Sequence, residues 1–226
     1  MSRSRLFAVA LCATLACSTL SHCVTYGYCG TDRASGKPLP CAIERSPAAL
    51  ENDVLEKVCP ALLSAKGRST LACCDRGQAE VFKSQFKKLT RLGVRRDSDC
   101  FRMFQNVVCQ AMCSPRQSDF VEVFASRTDG KCPKPSATQL VYAIERSYAE
   151  QVYDACKTVR TIVFGANLMK FMCGKYGVDE CSPDRFLAFV GSVRSEGGHS
   201  PLKFHYILTE LPIRVNGKYL TPYKPQ

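Results

Sequence analysis

Cys109-Gln-Ala-Met-Cys113-Ser-Pro-Arg-Gln-Ser118 is the stretch on which the fold turns. Its first half closes a pattern in which Phe101, Phe104, Val107, Val108 and Met112 recur every three or four residues, the spacing of an apolar helix face. Cys109 and Cys113 are four residues apart and therefore project to the same side of that helix. Upstream, Cys73 and Cys74 are adjacent and aim in different directions, which suits them to clamp two different segments beside one helix.

Working outward, residues 23–41 are rich in Gly, Cys and turn residues and close with Lys37-Pro38-Leu39-Pro40, which reads as a stapled loop. Ser46-Pro47 reads as a helix start, with Leu50, Val54, Leu55 and Val58 at helical spacing until Cys59-Pro60 stops it. A second helix runs from Asp75, with Gln78, Val81, Phe82, Gln85, Phe86 and Leu89 on one face. After Pro115, residues 119–125 have the β-branched and aromatic content of a strand, and residues 127–137 form a turn-rich connection carrying Cys132. Leu140, Tyr142 and Ile144 alternate like a short strand before a helix ending near Val159, although one continuous helix fits the same residues. Ser182-Pro183-Asp184 opens a short helix with Phe186, Leu187 and Phe189, broken at Gly197-Gly198. Leu202 to Leu208 alternates as a final strand, followed by a Pro- and Lys-bearing tail. Helices and strands intermixed without βαβ regularity indicate an α+β fold.

Composition sets the compartment. The chain has 226 residues, 46% hydrophobic and 23% charged, with 15 Cys, no Trp and a net charge of +11, which excludes disordered, collagenous and long coiled-coil chains. Arg3 and Arg5 precede an uncharged, mainly apolar run from Leu6 to Leu20, with small residues at Ala16, Ser18 and Ser21. That is the pattern of a cleaved secretory signal over residues 1–21, too short to span a bilayer; residues 22–226 then read as one domain. Its removal takes away two arginines and no acid, so +11 becomes +9, and it takes Cys12 and Cys17, leaving thirteen cysteines. Thirteen cysteines in an oxidising compartment read as a disulfide framework with one thiol, Cys132, left over or paired with another molecule. No Cys-x-x-Cys is present, and His22, His199 and His205 lie far from the cysteine-rich centre, so neither a metal site nor thiol catalysis is expected. No other catalytic constellation stands out, so an enzyme is not expected and no cofactor is called for. Lys83, Lys87, Lys88, Arg91, Arg95 and Arg96 cluster on the outer faces and end of one helix. A solvated basic face and attraction to an anionic membrane surface both fit, whereas a nucleic-acid motif is absent.

The residues resemble a known family. Cys23-Val-Thr-Tyr-Gly-Tyr-Cys29-Gly30, Val58-Cys59-Pro60, Leu71-Ala-Cys73-Cys74-Asp75, the stretch from Cys109 to Ser118, Tyr153-Asp-Ala-Cys156, Cys173-Gly-Lys175 and Pro201-Leu202 are similar to the N-terminal luminal domains of Niemann-Pick type C1 proteins. The resemblance implies a sterol-binding domain, with helices surrounding a deep pocket and a small mixed β-sheet beside them. It also implies a secreted or endolysosomal location. Twelve cysteines allow about ten thousand pairings, and the resemblance selects one set. In it Cys23 bridges Cys73, Cys29 bridges Cys41, Cys59 bridges Cys109, Cys74 bridges Cys113, Cys100 bridges Cys156 and Cys173 bridges Cys181. One family cysteine is replaced by Asp97, and the extension that carries its usual partner is missing too.

A sterol gains most of its affinity from buried apolar area, so its site needs few polar groups, well placed. The resemblance assigns to Gln78 the hydrogen bond to the sterol hydroxyl; a helix-surface role is the alternative. Phe82, Val108, Pro201 and Leu202 match the apolar lining, with ordinary core packing as the competing reading. Three positions depart from the family: Pro40 replaces an asparagine that contacts the hydroxyl, Thr25 a pocket tryptophan, and Tyr28 a glutamate, with the Tyr28 hydroxyl as a substitute donor. Phe171, Met172 and Phe189 match a rim at which the family transfers sterol to a soluble partner. The expected function is a non-enzymatic sterol carrier. A carrier of another hydrophobic ligand, or an interaction protein that has lost the pocket, are the alternatives.

Overall fold

The computed structural model describes residues 21–65, 67–128, 130, 132–162 and 165–225; apart from Ser21, the expected signal segment lies outside them. The segment read as a stapled loop is a β-hairpin, with β1, Cys23–Thr31, antiparallel to β2, Pro38–Arg45. Its turn-forming residues serve the hairpin. Gly27 (φ +67°) lies where the β1–β2 register shifts, and Gly36 (φ +68°) lies in the turn. Both conformations favour glycine.

The helix expected at Ser46 begins later. Ala48–Glu51 is a strand, β3, paired with β4, Ser69–Ala72, and α1 spans Asn52–Val58 after an N-cap at Glu51. Ser46-Pro47 offers a good local start, but pairing with β4 draws the next four residues into a ribbon. Helix α2, Arg76–Arg91, and helix α3, Asp99–Cys113, follow where expected, α3 capped by the Ser98 hydroxyl. Residues 119 and 120 belong to a single turn, α4 (Gln117–Phe120), so the next strand, β5, is Val121–Arg127. The two-element reading of the next stretch holds, with β6 at Ser136–Ile144 and α5 at Arg146–Lys157. After α6, Met169–Met172, helix α7 (Pro183–Val190) is capped by Ser182. It ends at Gly191, before the Gly197-Gly198 pair. Gly191 packs against β7, Lys203–Leu208, where a Cβ would lie 2.6 Å from the Phe204 carbonyl oxygen.

The Pro- and Lys-bearing tail carries a hairpin of β8, Ile213–Val215, and β9, Lys218–Leu220. Asn216 and Gly217 both have positive φ (49° and 85°), and Asn-Gly is the strongest short hairpin signal in a sequence. The fold is α+β, with seven α-helices among the described residues and a small mixed sheet.

Strand β6 organises that sheet. β5 runs antiparallel along one edge, and β2 and β7 share the other. β2 touches β6 only at Cys41–Ser136, whereas parallel β7 begins at Gln139–Lys203. The edge is therefore split between β2 and β7. Among the described residues six disulfides join Cys23–Cys73, Cys29–Cys41, Cys59–Cys109, Cys74–Cys113, Cys100–Cys156 and Cys173–Cys181, the pairs the resemblance implies, and Cys132 has no disulfide partner there. At the position of the missing family cysteine, Asp97 accepts from Arg95 at 2.6 and 3.0 Å.

Gln117 ties the hairpin to the helices. Its Oε1 accepts from the amides of Val24 (2.8 Å) and Thr25 (3.0 Å), and its Nε2 donates to Thr25 Oγ1 (2.9 Å) and the Ala111 carbonyl (2.7 Å). All four bonds are buried, and truncation strands their partners away from water. Gln117→Ala is expected to cost about 3 kcal/mol or more, since each orphaned buried group costs ~1–3 kcal/mol. Reversible urea unfolding with disulfides intact measures this, and a loss below about 1 kcal/mol contradicts it.

Candidate ligand pocket

Asp75 starts α2 with a reciprocal cap: its carboxylate accepts from the Gln78 amide (2.8 Å), and the Gln78 carboxamide oxygen accepts from the Asp75 amide (3.1 Å). This capping box satisfies amides that a helix start leaves free. The same Gln78 oxygen accepts from the Gly27 amide at 2.8 Å, tying α2 to β1. Phe86 of α2 packs edge-on against Phe101 of α3, ring centroids 6.1 Å apart.

Between α2, α3 and the split sheet edge lies a cavity of about 560 Å³, within the range of small-molecule sites. Helix α2 contributes Val81, Phe82, Phe86 and Leu89, and α3 contributes Phe104, Val108 and Met112. Tyr28, Pro38 and Pro40 come from the hairpin, Pro201 and Leu202 from the approach to β7, and Met172 and Phe189 from α6 and α7. Phe189 comes so close to Gly174 (φ +56°) that a Cβ there would lie 2.4 Å from its ring, so this wall requires glycine twice over.

The polar groups divide by position along α2. Tyr28 lies toward the start of the helix, close enough to Asp75 to feel its charge. Burial, and secondarily that carboxylate, push the phenol far above its ordinary range, so it keeps its proton at physiological pH. No hydrogen bond engages its hydroxyl within the described residues. Lys88 and Arg91 lie in the last turn, with Lys37, His199 and Ser200 from neighbouring segments. From Val81 to Arg91 the helix rises about 15 Å along the cavity.

The model of the Niemann-Pick C1 N terminus matches residues 20–225. The chain belongs to that family. It is 33% identical over 159 residues to the human NPC1-like intracellular cholesterol transporter 1, covering 70% of this chain and 11% of that protein. It is also 28% identical over 199 residues to the pig NPC intracellular cholesterol transporter 1, covering 84% of this chain and 15% of that one. The Caenorhabditis elegans NPC intracellular cholesterol transporter 1 homolog 1 is 27% identical over 177 residues, covering 74% of this chain and 12% of its own length. The chain thus spans a small N-terminal-family portion of much longer relatives.

Of the residues singled out by resemblance to the Niemann-Pick C1 N-terminal family, Tyr28, Pro40, Phe82, Val108, Met172, Phe189, Pro201 and Leu202 lie around the cavity. Gln78, Thr25 and Phe171 do not border it. Gln78 is fully buried behind the wall; its oxygen is committed to Asp75 and Gly27, and its Nε2 has no partner. Thr25 is fully buried too, its hydroxyl taken by Gln117. Phe171 is 36% exposed, next to the lining Met172. Phe104, Met112, Phe204 and Tyr206 line the cavity without having been assigned to it. On α3 the signal was present: Phe104, Val108 and Met112 form one stripe, and Cys109 and Cys113 form another that faces the staples.

Filling the cavity from its wall separates occupancy from stability. Val108→Phe is expected to abolish uptake of an apolar fluorescent probe. Because the ring enters empty space, stability should stay within about 1.5 kcal/mol of the unsubstituted protein. Probe titration and thermal unfolding measure the two effects; undiminished uptake contradicts this placement of the cavity.

Proposed function

We propose that the protein is a non-catalytic sterol carrier of the lumen, its residues 22–226 forming one domain that holds a sterol between α2, α3 and the β2–β7 split. The observation that carries the reading is the apolar cavity, with a neutral, protonated Tyr28 hydroxyl near one end. The names of the relatives, cholesterol transporters, supply the ligand class. Apolar contact provides the affinity, and a hydroxyl inside the cavity needs a partner because an unmatched one costs ~1–3 kcal/mol.

Two donors serve that end. Tyr28 borders the cavity, and the unpartnered Nε2 of Gln78 sits beside Gly27, the residue before Tyr28. Gln117, by contrast, uses both its oxygen and its nitrogen within the protein. A buried amide donor left idle is uncommon in a folded chain, and since Gln78 stands behind the wall, a bridging water links it to a ligand hydroxyl. Met172 and Phe189, with the exposed Phe171 beside them, form the rim at which a soluble transfer protein or a membrane exchanges the sterol.

The test is saturable binding of a fluorescent sterol competed by cholesterol; no saturable uptake of any sterol defeats the reading. Tyr28→Phe is expected to weaken cholesterol binding about 2–10-fold, the worth of one ordinary hydrogen bond. It should leave binding of the parent hydrocarbon cholestane unchanged. Equal losses for both ligands would show that Tyr28 acts through wall shape instead.

A further inference from the structure

The far end of the cavity is cationic. Lys37, Lys88 and Arg91 line it, and no aspartate or glutamate among the described residues contributes to the wall. Lys88 and Arg91 are solvent-exposed, Lys37 is half-buried, and none of the three pairs with an acid among the described residues. Lys37 Nζ donates to the His199 carbonyl, Lys88 Nζ donates to Gln85 Oε1 at 3.1 Å, and Arg91 makes no ion pair among the described residues. Lys88 and Arg91 have a local reason to sit in the last turn of α2, where the helix dipole favours cations. Lys37 has none. It comes from the β1–β2 turn, is partly buried, and has its ammonium held below the ordinary lysine range, first by burial and then by the Lys88 charge, with Asp32 acting weakly in the other direction. Elsewhere the basic cluster does find acids: Lys83 pairs with Glu80, and Arg95 with Asp97. The cations left without acids include those bordering the cavity.

We propose that the cavity takes an acidic sterol, one carrying a carboxylate or sulfate at the end that lies among Lys37, Lys88 and Arg91. This deepens, and rests on, the sterol-carrier reading above. A neutral hydroxyl meets Tyr28, the ring system lies along Phe82, Phe86, Val108 and Leu202, and the anion meets cations converging from the hairpin and from α2. An anion there relieves the Lys37–Lys88 repulsion, and charge-assisted hydrogen bonds are the strong ones. Anionic bilayer attraction is the rival use of the same charges.

Competition against a fluorescent sterol, using 3β-hydroxy-5-cholenoic acid, its methyl ester and cholesterol, tests this. The acid is expected to compete about tenfold better than its ester, and this ratio should shrink as salt is raised. In a Lys37→Gln, Lys88→Gln, Arg91→Gln variant the acid-to-ester ratio should fall toward one. If that variant folds poorly, the salt series on the unsubstituted protein decides the same point. If cholesterol and the ester bind and the acid binds no better, the inference is overturned and the carrier reading stands. If the variant keeps the acid-to-ester ratio but loses adhesion to phosphatidylserine vesicles, the charges serve a membrane and the inference is overturned. If no sterol binds at all, both fall together.

Discussion

The adjacent pair Cys73-Cys74 is the constraint on which the pocket depends. Cys73 bridges to Cys23 at the start of β1, and Cys74 bridges to Cys113 at the end of α3, while the Cys73 amide donates to the Cys113 carbonyl at 2.9 Å. The next residue, Asp75, caps α2, and Gln78 one turn later holds Gly27. Six residues therefore fix a strand and two helices at a single corner. From that corner α2 and α3 extend with the cavity between them and the split sheet edge.

Such a corner matters because an apolar cavity is a packing defect. Its lining forgoes dispersion contacts that a collapsed arrangement would recover, so the surrounding elements must be held apart. Covalent staples do this without filling the space. Cys59–Cys109 secures the opposite face of α3, and Cys100–Cys156 ties its start to α5. One helix thus has three stapled cysteines, of which Cys109 and Cys113 stand on another face than the stripe of Phe104, Val108 and Met112. The hydrophobic effect supplies the stability, and the disulfides decide where it stops.

The two buried glutamines illustrate how polar groups are used around such a cavity. Gln117 satisfies both ends of its carboxamide within the protein and acts as a structural tie. Gln78 commits only its oxygen, which both caps a helix and holds a strand, and leaves a donor idle near the cavity. A single residue thereby links the start of α2 to β1, next to the Tyr28 end of the pocket. The opposite end is cationic: Lys37 from the hairpin and Lys88 and Arg91 from α2 border one space.

Much of this was legible in the sequence because it depends on short-range rules. The 3.6-residue periodicity marked α2 and α3, Asp75 and Ser182 fell at the helix starts expected of them, and the cysteine spacing marked a stapled chain. Family resemblance carried the pairing and eight of the residues that border the cavity. What failed depended on partners distant in the chain. Residues 23–41 looked like a loop because glycines at 27 and 36 serve bulge and turn in a hairpin that Gln117 and Cys73 complete. Ser46-Pro47 looked like a helix start because pairing between Ala48–Glu51 and Ser69–Ala72 leaves no local trace. Only the tertiary structure decided that Gln78 sits behind the wall and not in it, that Thr25 belongs to Gln117, and that Lys37 meets Lys88. Periodicity specifies which face of a helix is buried, but the distance between two such faces, and hence whether a space remains, is set by the staples and by the sheet they hold.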